Sequence, residues 1–256
     1  MTTTLVTGGA SGFGAEVCRL AGEQGHHVVV VDIDDRRGNE VASSVNGIFV
    51  KADVSSPGGN EEMVHAAVSS FGSVDIAVLN AGIVSGIRGI DDFGLERYRS
   101  VLGVNFESVV FGIQSVVPAM RKGHGGSIVT TASLAGLMAT PNDPLYSATK
   151  HAVVAYSLAL APLLAEDSIT INAVCPGFAD TPLLTEAAGS FHAADFPLLK
   201  PAEVGQVIVD VALGTSTGQA WFVQPGRPSQ PFKFATVPGA RRPDGTSAGM
   251  PPALWT

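Results

Sequence analysis

The chain has 256 residues, 45% of them apolar and 15% charged, with a formal charge of −8. That balance suits one α/β domain with buried parallel strands and excludes a disordered chain. The acidic charge comes with no Lys/Arg run, which excludes the footprint of a nucleic-acid binder and argues against acidic partners such as carrier proteins.

Short β-branched runs recur along the chain: Thr4 to Thr7, His27 to Val31, Ile48 to Val50, Val74 to Leu79, Ser127 to Thr131, Ile169 to Val174 and Ala220 to Val223. Helical segments are predicted between them at residues 12–24, 36–45, 58–71, 92–121, 144–166 and 201–213. Strands alternating with helices imply right-handed crossovers in a seven-stranded parallel sheet with helices on both faces. Residues 1–226 read as one domain. Residues 227–256 break the pattern, because Pro228, Pro231, Pro238, Pro243, Pro251 and Pro252 exclude regular helix while Phe232, Phe234 and Trp255 offer apolar contacts. They are expected to form an arm on a neighbouring subunit or near the substrate cleft, with a mobile tail as the alternative.

Cys18 and Cys175 have no partner at metal-site spacing and read as buried thiols, and the six histidines form neither HxH nor HExxH. No metal is expected. The first residues enter a strand without a basic segment or an apolar signal core, and no run of about eighteen apolar residues occurs, so the expected location is the cytoplasm.

Two motifs carry chemistry. Thr7-Gly8-Gly9-Ala10-Ser11-Gly12-Phe13-Gly14 ends the first strand in a glycine turn that opens a helix. There the backbone can approach a pyrophosphate and helix N-terminal amides can stabilise its charge. Tyr146 and Lys150 lie four residues apart, one helical turn, as an acid/base pair. An unperturbed phenol titrates at about 10, so base chemistry near neutrality needs about 4 kcal/mol of preferential phenolate stabilisation. Lys150 has the right sign to contribute. Taken singly, each motif is common as a tight turn or as two surface side chains.

Together, and with Asn80-Ala81-Gly82 and Ser133 between them, the motifs resemble the classical short-chain dehydrogenase/reductase family over residues 3–226. The TGxxxGxG spacing is that family's, as are the thirteen residues from Ser133 to Tyr146. The resemblance implies a Rossmann-type doubly wound fold and a catalytic set of Asn105, Ser133, Tyr146 and Lys150. Ser133 would hold the substrate oxygen, Lys150 would also grip the nicotinamide ribose, and Asn105 would hold a water linking the lysine to solvent. Gly8, Ser11, Gly12, Phe13 and Gly14 would cradle the cofactor. Asp53 and Val54 would hold the adenine, Asn80, Ala81 and Gly82 would lie beside the cofactor, and Pro176, Gly177 and Thr181 would seat the nicotinamide. Asp32 at the end of the second strand would accept from both ribose hydroxyls and repel a 2′-phosphate, which points to NAD. Arg36 and Arg37 leave NADP as the alternative. Leu79 departs from the family pattern, which commonly has a second asparagine there.

Residues 178–199 read as a substrate lid. Leu183, Leu184, Phe191, Phe196 and Leu198, with Leu137 and Met138, argue for an apolar pocket, and no Arg or Lys lies between Phe178 and Leu199 to read an anion. The expected reaction is reversible hydride transfer between NAD and an apolar secondary alcohol or ketone. The alternatives are an NADPH-dependent 3-oxoacyl-thioester reductase and a catalytically idle NAD-binding sensor or scaffold. Segments 92–121 and 144–166 carry apolar residues on more than one face, and the resemblance implies a homotetramer, with a homodimer as the alternative.

Overall fold

The computed structural model describes residues 1–86, 90–184 and 188–248. Its strands are β1 (Thr3–Thr7), β2 (His27–Asp32), β3 (Ile48–Lys51), β4 (Ile76–Leu79), β5 (Gly126–Thr131), β6 (Ile169–Pro176), β7 (Ala220–Val223) and β8 (Gln230–Pro231). They form one sheet in the order β3-β2-β1-β4-β5-β6-β7-β8. The first seven are parallel and β8 runs antiparallel to β7. The helices are α1 (Gly12–Glu23), α2 (Asp35–Ser44), α3 (Pro57–Phe71), α4 (Leu95–Leu102), α5 (Ser108–Lys122), α6 (Pro144–Ala165), α7 (Ala188–Ala193) and α8 (Pro201–Leu213).

Alternating side chains within each strand feed two cores. Leu5, Val29, Val31, Ile128 and Ile171 pack on the side of α3, α5 and α6 with Met63, Ile113 and Val153. Val6, Val28, Val30, Val129 and Val174 pack on the side of α1 and α8 with Val17, Cys18, Val204 and Ile208. Both faces being covered is why the strands read as unbroken apolar runs. The segments Leu95–Lys122 and Pro144–Ala165 are long and apolar enough to cross a bilayer. In this fold each lays one face on the sheet.

The sequence expectation differs from the fold in three places. The helix expected at residues 92–121 runs over Leu95–Lys122 and contains a π-helical turn, Gly103–Glu107, between α4 and α5, which holds buried Gly103 and Asn105. The fourth strand begins at Ile76 because Asp75 is polar and occupied, accepting the Thr3 N–H at 2.7 Å and the Ser73 hydroxyl at 2.9 Å. The eighth strand comes from the extension, where Phe222 pairs with Gln230 and Trp221 with Pro231. Two residues, one of them a proline, carry no strand periodicity, and β7 templates them. Beyond β8 the Phe232 and Phe234 rings pack edge to face at 5.0 Å, and a bridge joins Arg241 to Ser247. Pro251, Pro252 and Trp255 lie outside the described residues.

Candidate active site

Strand order reverses between β1 and β4, the place where an open α/β sheet forms a crevice at the carboxyl ends of its strands. Two turns flank it. After β1, Gly8 and Gly12 have φ of +65° and +52°, a region L side chains rarely adopt. Gly14 lies under this turn, where an added Cβ would sit 2.1 Å from the Gly8 carbonyl oxygen. Its role is close approach of α1 to β1, and it does not line the crevice. After β4, Asn80 Nδ2 donates to the carbonyls of Thr7 and Gly8, while Thr7 Oγ1 accepts the N–H groups of Asn80 and Ala81. The asparagine braces the two turns.

Between them opens a cavity of about 420 Å³, lined by Gly8, Ser11, Gly12 and Phe13, by Asp32, Asp53 and Val54, by Asn80, Ala81 and Gly82, and by Thr181. Asp32 accepts the N–H of Ala10 and of Asp34, each at 3.0 Å, so its carboxylate is oriented by the glycine turn itself. Asp53 Oδ1 accepts from the backbone and hydroxyl of Ser55. Ser11 sits at the N-cap of α1 without a side-chain capping bond. A crevice with left-handed glycines, a spare hydroxyl and free helix N-terminal amides fits a dinucleotide's pyrophosphate.

A second cavity of about 350 Å³ adjoins the first across Phe13, Thr181 and Leu183, which line both. Its walls include Leu134, Met138, Pro176, Gly177, Phe178 and Leu184, and Ser133 and Tyr146 lie in the same lining. Leu183, Leu184 and Met138 line the pocket as the sequence implied. Phe191 and Phe196 instead pack on Phe178, with ring centroids 4.6 and 5.8 Å away, and Leu137 packs into the sheet core. A helical or loop apolar residue can meet a ligand or a neighbour, and periodicity cannot tell these apart.

The reactive side chains converge here. Asp143 caps α6 by accepting the N–H of Tyr146 at 2.9 Å, which starts the helix on the turn that carries both Tyr146 and Lys150. The Ser133 hydroxyl hydrogen-bonds the Tyr146 phenol. Lys150 is 3% exposed, donates to the Thr131 carbonyl at 2.8 Å and lies 5.7 Å from the Tyr146 ring centre. An added Cβ at Gly82 would stand 3.3 Å from Lys150 Nζ, so glycine there lets the strand end approach the ammonium. Asn105, projected by the π turn, accepts the Ile83 N–H at 2.8 Å and donates to the Ile83 carbonyl and to Thr149 Oγ1.

Burial acts on both members of the pair. It pushes the Tyr146 phenol up to about 12, and Ser133 only partly offsets that. It also pulls Lys150 down to about 8. Withdrawal from water disfavours both charged forms. Sequence reading also missed that Cys175 borders the site. Its thiol interacts with the Ser133 backbone N–H and Lys150 but is pushed up to about 12 by burial, so it stays a neutral wall. Its place beside Pro176-Gly177 was the available signal.

The short-chain dehydrogenase family model matches residues 2–189. The chain belongs to that family. Short-chain dehydrogenases bind a nicotinamide dinucleotide, and the cofactor crevice described above fits one. Among curated short-chain dehydrogenases, cyclohexanol dehydrogenase from Acinetobacter sp. (strain SE19) is 35% identical over 80% of this chain and 84% of its own. The 3-alpha-(or 20-beta)-hydroxysteroid dehydrogenase of Mycobacterium tuberculosis (strain ATCC 25618 / H37Rv) is 34% identical over 87% of each. A solved 3-ketoacyl-(acyl-carrier-protein) reductase from Brucella melitensis, complexed with NADH, superposes with a TM-score of 0.82 at 32% identity, over 88% of this chain and 98% of its own.

Proposed function

We propose that this short-chain dehydrogenase oxidises an uncharged, apolar secondary alcohol to the ketone with NAD, reversibly. The observation that carries the reading is the second cavity. It ends on the paired hydroxyls of Ser133 and Tyr146, and among the described lining residues it has no Lys or Arg. A carboxylate, phosphate or coenzyme A handle would find no cation there, whereas a cyclic or polycyclic alcohol needs none. The names of the cyclohexanol and hydroxysteroid relatives accord with such a substrate. Asp32 supports NAD, since a 2′-phosphate would meet its carboxylate. Arg36 pairs with Glu40 at 2.7 Å and Arg37 with Asp34 at 3.6 Å, both on the exposed side of α2.

In the forward direction Ser133 donates to the alcohol oxygen and orients it, while Tyr146, as the phenolate, accepts the hydroxyl proton. Lys150 holds positive charge against the Thr131 carbonyl beneath the phenol, and the apolar walls exclude water. When bound, oxidised NAD supplies the hydride acceptor and a positive charge that favours phenolate. We also propose assembly of copies through the outer faces of α5 and α6, where Leu163 is 64% exposed; sedimentation of Leu163→Glu tests it.

The deciding experiment follows reduced-nicotinamide absorbance with NAD or NADP over a panel of alicyclic, aromatic and steroid alcohols, with acetoacetyl thioester and NADPH as the rival pair. Tyr146→Phe is expected to lose about 10³-fold in kcat/KM while NAD affinity stays. Thioester reduction with NADPH outpacing every alcohol would overturn the reading, as would full activity in Tyr146→Phe.

A further inference from the structure

The loop after β4 is held from three directions. Ile83 is gripped by Asn105 through both backbone groups. Arg97 of α4 donates to the Ser85 carbonyl at 2.7 Å and to the Val84 carbonyl at 2.5 Å. Ser85, 2% exposed, sends its N–H to Asp143 Oδ2 at 2.8 Å and its hydroxyl to Asp143 Oδ1. That same Oδ1 accepts the backbone N–H of Tyr146. One carboxylate therefore joins the first turn of the catalytic helix to the loop whose glycine lies against Lys150.

Capping alone does not demand this residue. Helix capping needs one acceptor, and Asn or Ser serves about as well as Asp. Here the second oxygen is spent on the loop, and an amide nitrogen in its place would meet the Ser85 N–H donor to donor. The site thus requires two acceptor oxygens, hence a carboxylate. It stands in the wall of the substrate cavity beside the acid/base.

We propose that Asp143 is a positioning residue for Tyr146, locking the catalytic helix to the loop beside Lys150 so that the proton-transfer pair and the cofactor-facing backbone move as one unit. This rests on the reading of Tyr146 as acid/base. The groups bearing on the phenol are Ser133 after β5, Cys175 on β6, Lys150 on α6 and Asp143 at the cap; Arg97 spends its guanidinium on the two carbonyls. Among these, the negative charge of Asp143 disfavours phenolate and raises the phenol, opposing Ser133. Removing that charge while keeping the cap must lower it.

The test is Asp143→Asn, read by the pH dependence of kcat/KM for alcohol oxidation and, independently of turnover, by ultraviolet titration of tyrosinate, with Tyr146→Phe identifying the band. We expect kcat to fall about 10-fold, NAD affinity to stay within about twofold, and both the kinetic limb and the titration to move about half a unit to lower pH. An unmoved limb and titration with wild-type kcat would overturn the proposal. Should Asp143→Asn fail to fold, Ser85→Ala keeps cap and charge while removing the hydroxyl bridge. It is expected to lower kcat without moving the limb, and wild-type kcat there would equally overturn the positioning role. If no alcohol on the panel is oxidised, the proposed function fails, while the tyrosinate titration still tests whether the charge of Asp143 bears on the phenol.

Discussion

The two halves of the cleft are built from different materials. The cofactor half is backbone and braced polar groups: Asn80 and Thr7 bind each other's turns, Asp32 is set by the Ala10 and Asp34 amides, and glycines supply the surface. The substrate half is side chain, with Phe178, Leu183, Leu184 and Met138 forming walls that Phe191 and Phe196 support. A backbone surface recognises the same ligand whatever the neighbouring side chains become, whereas a side-chain surface changes preference with each substitution. The first half should therefore fail outright when its geometry is disturbed, and the second should retune.

The largest expected effect comes from Gly14→Ala, whose Cβ would overlap the Gly8 carbonyl at 2.1 Å. Displacing the glycine turn should cost about 2 to 3 kcal/mol and at least about 100-fold in NAD affinity. Gly58→Ala on α3, where nothing lies within 4 Å, should instead stabilise by about 0.5 to 1 kcal/mol. Thermal unfolding and NAD titration of the pair would erase the contrast if Gly14→Ala behaved like Gly58→Ala.

Next comes the buried ammonium. Lys150 titrates at about 8 in the fold against 10.5 unfolded, so below 8 the fold carries a charge it disfavours. As pH rises from 8 to 10.5 the unfolded chain holds the proton that the fold has released, and native stability climbs. Lys150→Met should be inactive yet more stable at pH 7 by about 1 to 3 kcal/mol, the loss of the Thr131 hydrogen bond trimming the gain. The advantage should shrink above pH 8. Denaturant melts are best kept below pH 10, because Tyr146, at about 12 in the fold, makes stability fall above its unfolded value of 10. A Lys150→Met protein less stable than wild type at pH 7 would mean the ammonium is better solvated than its burial implies.

The smallest effect is expected at Phe178. Phe178→Ala should change the kcat/KM ratio between bulky and small alcohols by about 10-fold and leave NAD affinity alone. A fall in NAD affinity equal to the change in selectivity would show that the halves are not separable.

Legibility followed the same divide. The glycine turn and the Tyr146–Lys150 turn were readable because each depends on spacing within one local element, and the seven parallel strands were found because a strand buried on both faces must be apolar throughout. The π turn at Asn105 was not readable from local spacing, since its extra residue is stabilised by hydrogen bonds to Ile83, 22 positions away. Cys175 and Asp143 were passed over for the same reason. One looks like strand interior and the other like a helix cap until β5, β6 and the loop after β4 are brought together.

By itself, then, the chain's sequence determined the order of the seven parallel strands and their helices, the glycine turn after β1, the one-turn spacing of Tyr146 and Lys150 and the absence of Lys and Arg between Phe178 and Leu199. These follow from local conformational preference and from alternation, which act over a few residues. Tertiary structure alone decided the protonation energetics of Tyr146 and Lys150, the sorting of Phe178, Phe191 and Phe196 into wall and supports, the docking of β8 on β7, and the hydrogen bonds of Asp143 to Ser85. Each of these depends on desolvation or on a hydrogen-bond partner distant in sequence, and neither exists until the sheet has closed around the site.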